Sequence, residues 1–490
     1  GGILEEKDAY GNKKIGAETE LGRAAWIGQI KYNYANKYYA EASIRYDGSD
    51  RFAKGNRWGA FFSGSLGWVV TEENFMKSLV EKDILNSLKL RLSYGQTGLD
   101  ESAGRYAYMT TYNFNAQSYV VDGSFKPGFT EGPLASPDLT WYTTKQFDMG
   151  FDFASLQNRL YGSFDYFYYS TTGYLTAPTS QSYLNVALGT GMPKIKSNSE
   201  LRRAGYEVQL GWRDNIGDFK YDVSGNFTFF DELWALDEGE SEVTRMNPYK
   251  RRQQNKGYFI YDDNLYYLYK NLGYYQSAQD VYNSPAFINS MNSGYLTAGD
   301  IKYADLNGDG RITDEDQRRL GKAKKPRGQY GINLNMSYKG FYLSMLFQGS
   351  TAFDMYISDG LAMKTGQTSS MPLAYDHQID HWRPDNRHAQ YPRLMSNTGL
   401  NQNNNYQRSD FWLLNGAYLR MKDLQFGYDF KHRLLKQVNW LTRAKVGISC
   451  QNLFTISEAT KYGLDPENSS TENYGYPVER TIAFTLNLGF

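Results

Sequence analysis

Apolar and polar residues alternate with a period of two along some thirteen separate segments of this sequence, and that repetition restricts the fold more than any other feature. In "QFDMGFDF", Phe147, Met149, Phe151 and Phe153 share one side, opposite Gln146, Asp148, Gly150 and Asp152. In "GYEVQLGW", Tyr206, Val208, Leu210 and Trp212 oppose Gly205, Glu207, Gln209 and Gly211. "YDVSGNFTF", "SLKLRLSYG", "QYGINLNMSYKGFYLSMLFQG" and the closing "TIAFTLNLGF" repeat the pattern. A β-strand turns successive side chains to opposite faces, so each segment has one greasy and one polar side. Ionisable or amide groups occupy the second face in both strands of nearly every hairpin. That suits a wet lumen, and the expected fold is all-β: a transmembrane antiparallel β-barrel with its apolar face in lipid.

The segments fall at about 22–33, 37–47, 57–70, 87–97, 142–153, 159–170, 203–213, 219–230, 328–338, 340–350, 417–430, 443–453 and 480–490. Short connections ("YANK", "SLQNR", "RDNIGD", Lys339-Gly340) alternate with long ones around 98–141, 171–202, 231–327 and 351–416. Short periplasmic turns and long extracellular loops are the outer-membrane arrangement, so the last strand is expected to run inward and to leave Phe490 at the periplasmic rim. Tyr32, Tyr34, Trp68, Trp212, Tyr221, Tyr338, Phe341, Tyr428 and Phe430 fall at the same end and form an expected interfacial girdle. The segment "TEENFMKSLVEKDILN" predicts a short helix on that side, capped by Thr71 and placing Phe75, Met76, Leu79 and Val80 on one face.

Composition removes several classes. No run approaches the roughly 18 apolar residues of a membrane helix. Lys plus Arg and Asp plus Glu number 53 each, so no overall charge favours a nucleic-acid partner. The lone Cys450 shares a strand face with Ala444, Val446 and Ile448 and reads as apolar filler. The first residues lack the pattern of a secretory signal. Bacterial single-chain barrels have even strand numbers, so thirteen strands predict residues 1–490 to be the C-terminal portion of a barrel whose earlier part lies upstream.

Several stretches carry a more specific likeness: "SIRYDGSDRFAKGNRWGAFFSGSLGWVVTEENFMK", "LKLRLSYGQTG", "GDIKYADLNGDGRITDEDQRRLGKAKKPRGQYGINLNMSYKGFYLSMLFQGS", "HWRPDNRHAQYPRL", "FWLLNGAYLRMKDLQFGYDF", "SCQNLFTIS" and "YGYPVERTIAFTLNLGF". In this order they resemble the SusC-like members of the TonB-dependent outer-membrane transporters of Bacteroidota. Arg383-Pro384 and Asn415-Gly416 depart from the pairs common in that family without disturbing the strand pattern. The resemblance implies a barrel of about 22 strands with a plug inside; this chain would be its C-terminal part, lacking the plug and early strands. It also implies import of an oligosaccharide or peptide, driven through TonB and assisted by a SusD-like surface lipoprotein, with no enzymatic step. A passive porin or adhesin barrel and a soluble glycan-binding β protein are the competing readings of the alternation itself.

One motif points to an ion. In "DLNGDGRITDED", Asp305, Asn307 and Asp309 hold the first, third and fifth positions of an EF-hand-type loop. Gly310 stands where the loop turns, Arg311 offers its carbonyl and Asp316 takes the twelfth position. Alternating oxygens of this kind converge on a hard cation, and the expected ligand is a structural calcium. The same residue types also make metal-free turns. His377 and His381 have a spacing that suits one helical face but lack a third ligand for zinc. No Gly-x-Ser-x-Gly elbow is present. Among the loop aromatics, Trp382, Tyr375 and Trp412 are the candidates for stacking on a substrate, with packing inside the loops as their ordinary alternative.

Overall fold

The computed structural model describes residues 6–7, 13–14, 22–101, 103–176, 195–236, 265–287, 296–357, 379–394, 404–432, 434–468 and 478–490. Thirteen strands follow one another across a single sheet. They are β1 (Arg23–Tyr34), β2 (Tyr38–Ser49), β3 (Trp58–Val69), β4 (Leu85–Leu99), β5 (Tyr142–Ser155), β6 (Leu160–Thr172) and β7 (Glu200–Ile216). After these come β8 (Phe219–Leu236), β9 (Gly328–Tyr338), β10 (Phe341–Thr351), β11 (Tyr418–Asp429), β12 (Arg443–Gln451) and β13 (Thr481–Gly489). Each pairs with the next, and the short strand Thr455–Ser457 adds to β11 as a fourteenth member. All thirteen expected segments are therefore strands of this one wall.

Register keeps the two faces separate from strand to strand. Outward, Leu92 of β4 lies opposite Met149 of β5, Phe151 opposite Phe164 of β6, and Phe164 opposite Val208 of β7. On the same face Phe227 lies opposite Tyr330, Leu334 opposite Met345, Met345 opposite Leu424, and Ile448 opposite Phe484 of β13. These side chains are not covered by a second protein layer: Phe62 is 53% exposed, Ile30 75% and Phe484 85%. A slip of one residue would exchange greasy and polar faces, which is why the alternation fixes the register so firmly.

The tight turns suit the sheet's twist. Ala35 and Asn36 have φ of 55° and 57°, and Lys339 and Gly340 have 46° and 97°. Lys339-Gly340 is a two-residue hairpin loop, and Ala35-Asn36 open the three-residue loop 35–37 between the paired Tyr34 and Tyr38; consecutive left-handed residues of this kind follow the right-handed twist of the flanking strands. At that end the expected aromatics meet one another, joined by Tyr38, which the sequence pattern does not single out. Tyr34, Tyr38 and Trp68 stack at 6.5 Å, Trp212 donates its indole N–H to Tyr221 at 3.3 Å, and Phe341 lies edge-on to Tyr428 at 4.7 Å.

The expected helix in "TEENFMKSLVEKDILN" is only five residues, Lys77–Glu81, and Thr71 does not cap it. Thr71 lies in the preceding 3₁₀ turn and its hydroxyl accepts the N–H of Leu88 at 3.2 Å. Phe75 is 66% exposed, so the apolar spacing reflects a chain of turns rather than a helix face packed on a core.

At the opposite end the long connections build cores of their own. Tyr269, Ile301, Tyr303, Ile312, Phe353, Met355, Ile357, Tyr391, Trp412 and Leu414 pack into one cluster together with Tyr418 at the start of β11. A smaller cluster joins Phe52, Ala103, Leu139, Trp141 and Leu175 to Phe61 of β3 and Tyr142 of β5.

Candidate functional site

The polar face of the wall is laced by side chains that pair across strands. Arg91 of β4 donates to both oxygens of Asp152 on β5, at 2.8 and 3.0 Å, and reaches Asp165 of β6 at 3.0 Å. Arg159 meets Asp214 at 3.1 Å, and Lys31 lies 3.6 Å from Glu41. The Tyr161 ring lies flat over Gly211, where an added Cβ would come within 2.2 Å of it. Its hydroxyl donates to Asp222 at 2.9 Å and the Arg213 guanidinium lies over the ring, 4.7 Å from its centroid. Glycine here permits an aromatic ring to lie along the wall instead of projecting from it.

Toward the short-turn end this face hollows into a concavity of about 1300 Å³, lined by residues such as Asn158, Arg213, Asp222, Asn335, Gln425 and Asn487. Amides and hydroxyls alternate there with charges, a lining suited to a hydrated polar solute.

At the long-connection end the polar face is roofed. A register shift between Leu346 and Phe347 keeps Met421 opposite Phe347 on the outside and Arg420 opposite Gln348 on the inside. Arg420 is 2% exposed. Its guanidinium binds Asp465 at 2.7 and 2.8 Å, Glu467 at 2.8 Å and the Thr455 hydroxyl at 2.8 Å, and Lys422 also reaches Glu467 at 2.8 Å. The last long connection is thereby fastened to the inner wall. A buried cation so enclosed is costly to leave without its anions.

A second polar network holds the loop core. Asp300 is fully buried and accepts from Arg393 at 2.7 Å and from the Asn405 amide at 3.0 Å. Asn405 in turn accepts the N–H of Ile301, Asn404 donates to the Ile301 carbonyl, and Tyr303 donates to the Asn404 carbonyl at 2.7 Å. Burial pushes the phenols of Tyr269, Tyr274, Tyr275, Tyr303 and Tyr391 well above the usual tyrosine range. Lys302, hydrogen-bonded to Asp280 at 2.9 Å, holds that carboxyl below the usual range. Sequence patterning does not reveal Asp300, Arg393, Asn404, Asn405 or Arg420, because their partners lie tens of residues away.

The expected stacking residues are placed differently. Trp382 and Trp412 are 8% and 4% exposed. The Trp412 indole donates to the Asn405 carbonyl at 2.9 Å, and Trp382 packs against Gly299. Both therefore belong to the loop interior rather than to a surface a substrate could reach, because their large apolar area is worth more inside that core. Tyr375 and His377 lie outside the described residues.

In the aspartate-rich loop, Asp305 accepts the backbone N–H of Gly308 and of Gly310, at 2.7 and 2.8 Å. The Asn307 and Asp309 side chains accept the N–H groups two residues on, and the Asn307 amide donates to Asp309 at 3.3 Å. Arg311 continues the loop at its exposed rim. Asp316 is fully buried, and its two oxygens accept from Leu306, Asn307 and Thr313. The first half keeps its oxygens along one turn, whereas Asp316 is committed to closing the loop. Among the described residues no group of three or more His, Cys, Asp or Glu side chains is arranged to hold a metal.

Comparison with known proteins places this wall and its roof. Residues 17–345 match the family described as TonB dependent receptor-like, beta-barrel. The chain is 28% identical over 507 residues to TonB-dependent receptor P3 of Formosa agariphila, covering 100% of this chain and 47% of that protein. It is 27% identical over 506 residues to TonB-dependent receptor SusC of Bacteroides thetaiotaomicron, covering 99% and 45%. The chain thus spans about half the length of the curated relatives it matches. The solved RagAB peptide transporter shares its fold with a TM-score of 0.71 at 22% identity, over 96% of this chain and 48% of that one. An unroofed greasy face, a paired polar face and this match over most of the wall lead to one conclusion: the chain belongs to the TonB-dependent receptor-like β-barrel family of outer-membrane proteins.

Proposed function

We propose that this chain is the C-terminal wall of an energy-coupled importer that carries a polar nutrient oligomer, an oligosaccharide or a peptide, across the outer membrane. The observation that carries the reading is the inner face. Charges such as Arg91, Asp152 and Asp165 pair across it, its concavity carries amides and hydroxyls, and loops with a core of their own pack over its long-connection end. Loops packed over that end suit a gated route better than a permanently free pore. The peptide class is the one named for the RagAB transporter, and the oligosaccharide class is the one the resemblance to SusC-like transporters implies.

In this reading the long connections face the cell exterior and the short turns, with Phe490, face the periplasm. The plug and the segment that contacts TonB belong to the part of the full-length protein outside this chain. A SusD-like lipoprotein sits on the loops. The hairpin formed by Tyr112–Val121 and Ser124–Glu131 supports such a partner, since Tyr112, Phe114, Val120, Phe125 and Phe129 leave one apolar side exposed. No catalytic step is assigned to any residue.

For the aspartate-rich loop, the reading is a structural calcium held by Asp305, Asn307, Asp309 and the Arg311 carbonyl, with Asp316 serving as the loop's internal brace. Its support is the residue pattern and the shared turn of the first three side chains. Chelation of calcium is expected to speed proteolysis within 305–316 in the full-length protein; an unchanged cleavage rate rejects the ion.

The transport reading is tested by uptake in a strain lacking TonB. Import is expected to stop while the barrel still reaches the outer membrane. Import at the wild-type rate overturns energy coupling and leaves a passive barrel.

A further inference from the structure

The outer face of β1–β4 is interrupted by a trough. Across these strands Tyr32 lies opposite Ala40, Ala40 opposite Leu66, and Leu66 opposite Leu92. A methyl group set between large side chains leaves an apolar groove of about 370 Å³, walled by Tyr32, Tyr38, Leu66, Trp68 and Leu92 over Ala40. The groove runs to the short-turn end, where the Tyr34–Tyr38–Trp68 stack bounds it.

The polar tips of that stack converge on one carboxylate. The Tyr38 hydroxyl and the Trp68 indole N–H both donate to Glu73, the latter at 3.2 Å, and the Lys37 ammonium lies 3.5 Å from the same side chain. The trough therefore ends on an adjacent anion and cation. It is continuous with the greasy row that meets lipid along the rest of the wall, so the medium that covers it is a lipid leaflet. Within a bilayer one acyl chain gains nothing over another from leaving water. Selective retention has to come from fit in the trough and from the headgroup.

We propose that this groove holds one acyl chain of a zwitterionic, amine-bearing phospholipid, whose phosphate meets Lys37 and whose ammonium meets Glu73. The proposal rests on the reading of the wall as membrane-embedded. Tyr38 and Trp68 fix the Glu73 carboxylate in place before the lipid arrives, so the headgroup meets a pre-ordered partner. An anionic headgroup lacking the amine would meet Lys37 but also set its negative charge against the Glu73 carboxylate.

Native mass spectrometry of the full-length transporter tests it, with the detergent-solubilised protein offered palmitoyl-oleoyl phosphatidylethanolamine or its phosphatidylglycerol counterpart. The wild-type protein is expected to retain the ethanolamine lipid in preference. Ala40→Trp, which fills the trough, is expected to lower that retention about tenfold. Glu73→Gln is expected to abolish the preference between headgroups. Equal retention of both lipids by the wild type, or undiminished retention by a folded Ala40→Trp protein, overturns the proposal. Heat-modifiable gel mobility reports folding of the variant; should Ala40→Trp not fold, the wild-type preference decides alone. A protein that needs detergent yet keeps no lipid loses only this site, whereas one soluble without detergent loses the membrane reading as well.

Discussion

The wall and the loop roof solve opposite problems with the same residue types. In the wall, Phe62, Phe151, Val208 and Phe426 point away from the protein and stay uncovered, while Arg91, Asp152 and Asp165 pair on the other side. In the roof, Phe353, Ile301 and Trp412 are buried together and the charges of Asp300 and Arg420 are enclosed with their partners. The difference lies in the surroundings. Acyl chains solvate the wall's greasy face, so the backbone alone must be satisfied internally, through the strand ladder. Water surrounds the roof, so its apolar area has to be covered by protein.

The same deletion made in both regions should expose this contrast most strongly. Phe353→Ala removes a side chain 3% exposed and leaves a cavity, an expected cost of about 3–5 kcal/mol. Phe62→Ala on the wall leaves a space that acyl chains fill, so only the transfer contribution of about 1.5–3 kcal/mol is lost. Denaturant unfolding from vesicles, with protease cleavage of the loops as a separate probe, measures the two. Equal losses at both sites would break the comparison.

Charge substitution sharpens it within a single strand. Val208→Arg puts a cation on the outer face of β7 and is expected to cost about 2–4 kcal/mol of folding free energy near mid-wall. Its neighbour Gln209→Arg faces the lumen and is expected to change stability by less than about 1 kcal/mol. Reversal of that order would place the strand the other way round.

Titration separates the regions further. The buried loop phenols have folded pKa values raised above the ordinary value of 10.0. The roof's stability from Tyr269, Tyr274, Tyr303 and Tyr391 is thus fully present below pH 10 and is lost as pH rises from there toward their folded values. Phenolate absorbance from these residues is expected to appear together with loop opening rather than before it. At the other extreme, Asp280 has a folded pKa below its ordinary 3.8. Its contribution is present above that value and is lost as pH falls through the folded one, an effect below about 1 kcal/mol for a partly exposed pair. Asp280→Asn should flatten that acid limb of a loop-proteolysis profile and, because the Asp280 charge also helps hold the Tyr275 phenol up after burial, move the upper end of the alkaline limb only slightly toward lower pH.

The sequence made the wall readable because every strand meets the same two environments. A residue such as Phe151 and its neighbour Asp152 announce their faces without knowledge of their partners, and the hairpin turns at Ala35-Asn36 and Lys339-Gly340 mark where each pair closes. The roof offers no such local signal. Asp300 meets Arg393 and Asn405 across roughly a hundred residues, and Arg420 meets Asp465 and Glu467 across more than forty. Trp382 and Trp412 are visible as aromatics, but whether such a ring is presented or packed depends on what folds over it. The "NFMKSLV" spacing misleads for a related reason: a helical period over so few residues does not establish a helix.

Accessibility along β7 tests the central claim most directly. Single cysteines introduced at successive positions from 206 to 210, in the full-length protein with Cys450 replaced, can be reacted with a charged, water-soluble thiol reagent in intact membranes. The account predicts modification at Glu207 and Gln209 and protection at Tyr206, Val208 and Leu210. Uniform modification of all five, or the opposite alternation, would contradict it.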